Sequence, residues 1–106
     1  MASDTEYYKY ISEQLSKIDG ISYRKMMGEY IIYYKNKVLG GIYDNRFLVK
    51  DTPSARRILK NAAEEIPYQG AKNKMLLVEQ SDNQELLTYL IETMYDELPF
   101  SKKKKR

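Results

Sequence analysis

The spacing of apolar residues changes three times along this chain, and each change marks a different kind of element. Tyr8, Ile11, Leu15 and Ile18 recur at steps of three and four, the period of one helix face. Ser3 with Glu6 three positions on forms a capping-box pattern at the start of that helix, and Gly20 is placed to end it. From Ile21 the composition turns to Ile, Tyr and Val, which predicts strands over 21–27, 30–34, 38–43 and 46–50. Gly28, Lys35-Asn36-Lys37 and Asp44-Asn45 separate them, and connections this short require antiparallel neighbours. Thr52 before Pro53 is an N-cap and first-turn signature for a second helix over 53–63, with Ile58 and Leu59 facing inward. Ile66-Pro67-Tyr68-Gln69-Gly70 breaks that pattern. A fifth strand over 75–79 follows, with a short segment around Tyr68 as its expected partner. Asp82 is positioned to cap a last helix whose apolar stripe is Leu86, Leu87, Leu90, Ile91, Met94 and Leu98, stopped by Pro99. The order α-β-β-β-β-α-β-α is an α+β class, an antiparallel sheet with helices packed mainly on one face.

Composition narrows what such a domain does. At 106 residues and 42% hydrophobic content the chain has the size and interior of one domain, expected over 1–100 with a basic tail at 101–106. No apolar run reaches the roughly 20 residues that span a bilayer, and the N-terminus lacks the basic start and apolar stretch of a secretory signal, so a cytoplasmic protein is expected. Zero Cys rules out disulfides and thiolate chemistry, and zero His rules out imidazole triads and His-ligated metals. No metal or cofactor is expected, and catalysis would have to rest on carboxylates, Lys or Tyr. A non-enzymatic protein is the expectation.

The net charge of +3 is misleading as an average. Five of the 18 basic residues lie in Lys102-Lys103-Lys104-Lys105-Arg106, so positions 1 to 101 hold 13 against 15 acidic residues. Phosphate neutralisation needs a concentrated basic face, and the visible concentration is in a tail expected to be disordered.

Tyr is the unusual component, at eleven residues with two Phe and no Trp. Tyr30, Tyr33, Tyr34 and Tyr43 lie on expected strands beside Lys35, Lys37, Arg46 and Lys50, and aromatics interleaved with cations can stack bases while neutralising phosphates. Strands also favour Tyr for its buried ring and wet hydroxyl, and alternation sends Tyr33 and Tyr34 to opposite faces. Arg24 and Lys25 are suited to an anionic partner or a structural ion pair. Gly40-Gly41 sits inside a strand, away from any helix start, and so reads as room for a packed helix rather than a phosphate loop. Asp44, Asp51, Glu64, Glu65 and Asp82 lack the spacing of a calcium loop.

The segment Arg24-Lys25-Met26-Met27-Gly28-Glu29-Tyr30, followed by an aromatic strand, a turn, a hydrophobic strand and Arg46-Phe47-Leu48-Val49-Lys50, resembles the N-terminal domain of the TfoX/Sxy competence regulators. The amphipathic first helix, Pro67-Tyr68-Gln69-Gly70-Ala71-Lys72 with Met75 following, and the Leu-rich last helix extend the resemblance over nearly the whole chain. Met27-Gly28-Glu29 departs from the family's commoner Phe-Gly-Gly. The resemblance implies a small α+β fold similar to the secretion-chaperone-like arrangement, here as a stand-alone N-terminal domain without the family's second, helix-hairpin-helix-like domain. It implies a regulatory or protein-binding module linked to transcription or competence, with no membrane partner and self-association left open. The binding candidates are Arg24, Lys25, Tyr30, Tyr33, Arg46 and Lys50. Direct nucleic-acid binding through the Tyr/basic strands and the Lys-rich tail is the alternative.

Overall fold

The computed structural model describes residues 4–99. Ser3 and the Lys-rich tail therefore lie outside the described residues. The elements are α1 (Thr5–Gln14), β1 (Ile21–Met26), β2 (Glu29–Tyr34), β3 (Lys37–Ile42), β4 (Phe47–Val49), α2 (Pro53–Ile58), β5 (Glu64–Glu65), β6 (Met75–Leu77) and α3 (Gln84–Met94), the last continued by a 3-10 turn at Tyr95–Glu97. The six strands form one antiparallel sheet in the order β1-β2-β3-β4-β6-β5. This is the expected α+β architecture with one two-residue strand added.

Three successive two-residue hairpins build the first four strands. Met27-Gly28, Lys35-Asn36 and Asp44-Asn45 all have positive φ at both positions, between 50° and 85°. That is the turn type whose twist matches the right-handed twist of the flanking strands. Asn, Asp and Gly tolerate it readily; Met27 and Lys35 are held in it by the ladders on either side. The departure from the family's Phe-Gly-Gly thus leaves the Gly where the backbone needs it.

The helices cover one face of this sheet. Ile11 and Leu15 from α1 and its C-cap, and Leu87, Leu90, Ile91 and Met94 from α3, join Tyr30, Ile32, Tyr34, Ile42, Phe47, Val49 and Leu76 in one buried cluster. Lys37, buried on this side, donates from Nζ to the Tyr95 carbonyl at 3.0 Å and lies 4.0 Å from the Tyr95 ring centroid, closing the C-terminal end of α3. The Glu97 carboxylate accepts from the Ser54 amide (3.1 Å) and hydroxyl (2.8 Å), which joins the same end to the first turn of α2 and holds its pKa below the ordinary value.

Several local expectations are corrected. The N-cap of α1 is Asp4, whose amide is tied to Asn45 Oδ1 at 2.8 Å, while the Ser3 end of the expected capping box falls outside the described residues. The helix stops at Gln14, because i→i+3 bonds from Ser16 to Glu13 and from Ile18 to Leu15 tighten the chain before Gly20 is reached. Helix α2 ends at Ile58 rather than 63, with Asn61 at φ 61° leading out of it. Asn83, not Asp82, caps α3, accepting from Leu86 N at 3.0 Å. The partner of β6 is Glu64–Glu65 rather than the segment around Tyr68. Gly40 makes room for a strand, not a helix. Its Cβ would fall 2.1 Å from the Leu48 carbonyl oxygen, at a point where the register with β2 slips by one residue.

Two substitutions test this account. Leu90→Ala is expected to lower the unfolding free energy by about 2–5 kcal/mol in denaturant titrations, since Leu90 is fully buried between α3 and the sheet. Gly28→Val should cost at least about 1–2 kcal/mol, because a β-branched residue at φ 85° is strained. Met27→Asn in the same turn should raise the melting temperature, since Asn accepts φ 54° more readily than Met.

Candidate functional site

The face of the sheet away from the helices is apolar as well. Leu48 and Met75 are buried, yet neither belongs to the helix-side cluster. A strap formed by residues 66–74 covers them. It leaves β5, turns at Tyr68 to Ala71 through an amide-to-carbonyl bond of 3.0 Å with Gly70 at φ +92°, and returns through Lys72-Asn73-Lys74 into β6.

One side chain ties the strap to the sheet. From its place after the β3–β4 hairpin, the Arg46 guanidinium donates to Glu65 Oε1 at 2.6 Å, to the Ile66 and Pro67 carbonyls at 3.2 Å each, and to the Tyr43 carbonyl at 3.0 Å. A planar, five-donor group suits such a junction, and a Lys could not fill it.

Between strap and sheet lies a cavity of about 680 Å3, within the size range of small-molecule sites. Val38, Gly40 and Met75 supply its apolar floor, and Tyr43 and Pro67-Tyr68 one wall, with the two tyrosine rings tilted and 6.1 Å apart. A Cβ on Gly41 would fall 2.7 Å from the Tyr43 ring, so that glycine leaves the space the ring occupies. Lys50, Lys72 and Lys74 line the rest, together with Asn73 and Asp51. The Asp51 carboxylate is engaged by Arg56, at 2.6 Å and 2.7 Å. Among the described residues no ion pair or hydrogen bond engages the side chain of any of the three lysines.

The six sequence candidates do not converge. Lys50 lines the cavity and Arg46 holds its wall. Tyr30 is buried on the other face, stacked on Tyr8 at 4.2 Å, and Tyr33 is half-buried on β2. Arg24 and Lys25 stand exposed on β1, an edge strand with no second neighbour among the described residues. The pattern of residues also gave no hint of Lys72 and Lys74 as lining residues, because their convergence with Lys50 depends on the path of the strap.

With this geometry in view, comparison with known proteins is decisive at the level of family. The TfoX N-terminal domain model matches residues 13–95. The chain belongs to the TfoX N-terminal domain family. It is also 36% identical over 73 residues to an uncharacterized 12.7 kDa protein in the trpE 5' region of Spirochaeta aurantia, covering 69% of this chain and 64% of that protein. The chain thus spans somewhat less than two thirds of that relative's length. No solved structure matches. No described helix of this TfoX-type domain is long and apolar enough to cross a membrane.

Burial pushes the phenols of Tyr23 and Tyr43 up from 10.0 to about 12, with Tyr8 adding to the first and Tyr68, Glu29 and Tyr33 to the second. The folded domain therefore holds these protons more tightly than the unfolded chain does. Their contribution is intact below pH 10 and is lost as pH rises from 10 through about 12. Stability measured by denaturation should fall across that window, and Tyr43→Phe should flatten the fall.

Proposed function

We propose that this TfoX-type domain is a non-catalytic regulatory module that docks an extended acidic segment of a protein partner along the open edge of β1. The observation that carries the reading is the state of that strand. In a two-residue hairpin the residues flanking the turn are a hydrogen-bonded pair, so Ser22, Arg24 and Met26 bond to β2. Ile21, Tyr23 and Lys25 then direct their amides and carbonyls outward. The bond from Lys35 N to Gly20 O at 2.9 Å fits the same alternation. Beside this unpaired row stand Arg24 and Lys25 with no carboxylate on the strand, and Met27 at its tip is 95% exposed. Like charge on an edge discourages pairing with a second copy and suits an acidic strand, the mode in which main-chain bonds give affinity and side chains give selectivity.

The family supports the regulatory part of the reading, and the link to transcription or competence rests on that kinship alone. Burial of Tyr30 and Tyr34 among the helices leaves Tyr33 and Tyr43 as the strand tyrosines open to the nucleic-acid alternative, which weighs against it.

Lys25→Pro is the sharpest test, since it deletes one outward amide while leaving the bonds to β2 in place. Affinity chromatography from cell extract should recover a partner with the wild-type domain and lose it with Lys25→Pro and with Arg24→Glu/Lys25→Glu, while Lys60→Glu retains it. Added partner should protect the amides of β1 from hydrogen exchange. A partner bound equally by all four proteins would refute edge docking.

A further inference from the structure

We propose that the cavity beneath the 66–74 strap is a binding site for a small phosphate monoester that carries a flat ring. This inference concerns the sheet face between β3 and β6 and does not depend on edge docking at β1.

The argument begins with charge. Lys50 arrives from the end of β4, and Lys72 and Lys74 from the returning limb of the strap, so two separate parts of the chain bring lysines to the lining of one partly open space. Arg46 and Arg56, by contrast, are each matched to carboxylates, and Arg46 to carbonyls as well. Here three cations face one carboxylate that Arg56 already holds in a two-point bond. Three ammonium groups gathered around a cavity repel one another, and an anion of charge near −2 with several acceptor oxygens relieves that repulsion. A phosphate monoester meets both requirements, with a charge of about −1.5 to −2 at neutral pH.

The opposite wall indicates what the ester carries. The Tyr43 and Tyr68 rings and Met75 offer apolar and aromatic surface without charge, and Tyr68 is 58% exposed, so its ring is available to a guest. The Tyr43 phenol, kept protonated by burial, is a hydrogen-bond donor through the neutral range. Inorganic phosphate would occupy only the lysine end of a space of about 680 Å3, whereas a monoester with one or two fused rings reaches both ends.

Calorimetric titration of the full chain with phenyl phosphate, AMP, inorganic phosphate and adenosine tests this. Saturable binding is expected for at least one ring-bearing ester, with inorganic phosphate at least about tenfold weaker and adenosine without measurable heat. Lys72→Gln/Lys74→Gln should weaken ester binding by about tenfold or more, and Tyr68→Ala should weaken the ester but not inorganic phosphate. Lys60→Gln, away from the cavity, should change nothing. Circular dichroism of each variant verifies the fold, and these exposed positions are expected to leave it intact. Failure of both esters to bind at millimolar concentration overturns the proposal. So does equal binding of adenosine and AMP, or ester binding indifferent to the double lysine change in a folded variant.

Discussion

A sheet that receives all its helices on one face must find another cover for the other, and much of this structure follows from that constraint. Helices α1, α2 and α3 seal the side bearing Ile32, Ile42, Phe47 and Val49. The opposite side still presents Leu48 and Met75, too apolar to leave in water. Residues 66–74 supply the cover without forming a helix or a long strand. A loop of this kind has few backbone bonds of its own, so its position depends on side-chain anchorage. Arg46 provides it. By taking two successive strap carbonyls together with Glu65 and Tyr43, one guanidinium ties strap, edge strand and hairpin into a single joint. The cavity exists because this joint holds the strap at one end while β6 holds it at the other.

Much of the architecture was legible in the chain because the strongest signals were local. The Leu-rich stripe of α3, the Thr52-Pro53 start of α2 and the three turn pairs each carry their chemistry within a few residues. Gly28 was assigned to a bend, and it adopts φ 85°. The errors arose where a distant contact decides. Glu64–Glu65 is a poor strand by composition and exists because β6 needs an outer neighbour. Gly40-Gly41 suggests space for a helix, whereas the close approach at Gly40 comes from the backbone of the neighbouring strand β4. The length of α2 was overestimated because the turn at Asn61, which leads toward β5, has no proline or glycine to announce it.

The candidate site was less legible than the fold, and the reason is the same. Aromatic and basic residues on neighbouring strands look like one surface when read along the chain, but pleating divides them. Tyr30 and Tyr34 go to the helix side, Tyr43 goes to the strap side, and Tyr33 is left half-buried between neighbours. Arg46, read as a binding residue, has its donors occupied by the protein itself. Lys72 and Lys74 lie in a polar stretch whose pattern carries no binding signal of its own. What makes them chemically interesting is position relative to Lys50, which only the closed strap creates.

The two surfaces that remain open differ in kind, and that difference organises the domain. At β1 the sheet ends in a row of outward main-chain groups flanked by fixed charge, the surface we propose for docking another backbone. Beneath the strap lies a concave, partly aromatic space lined by three lysines, the space we propose for a small anion. They lie at different places in the strand order, with β2 between β1 and the β3 residues that floor the cavity. The strands that separate them are joined by tight hairpins and paired on either side of the one-residue slip at Ile32/Tyr33, so the intervening sheet is a stiff spacer. Val38 and Gly40 on β3 floor the cavity, while the other side of the same strand pairs with β2 and through it supports the edge. The sheet therefore keeps the two surfaces apart while joining them through one continuous hydrogen-bonded ladder.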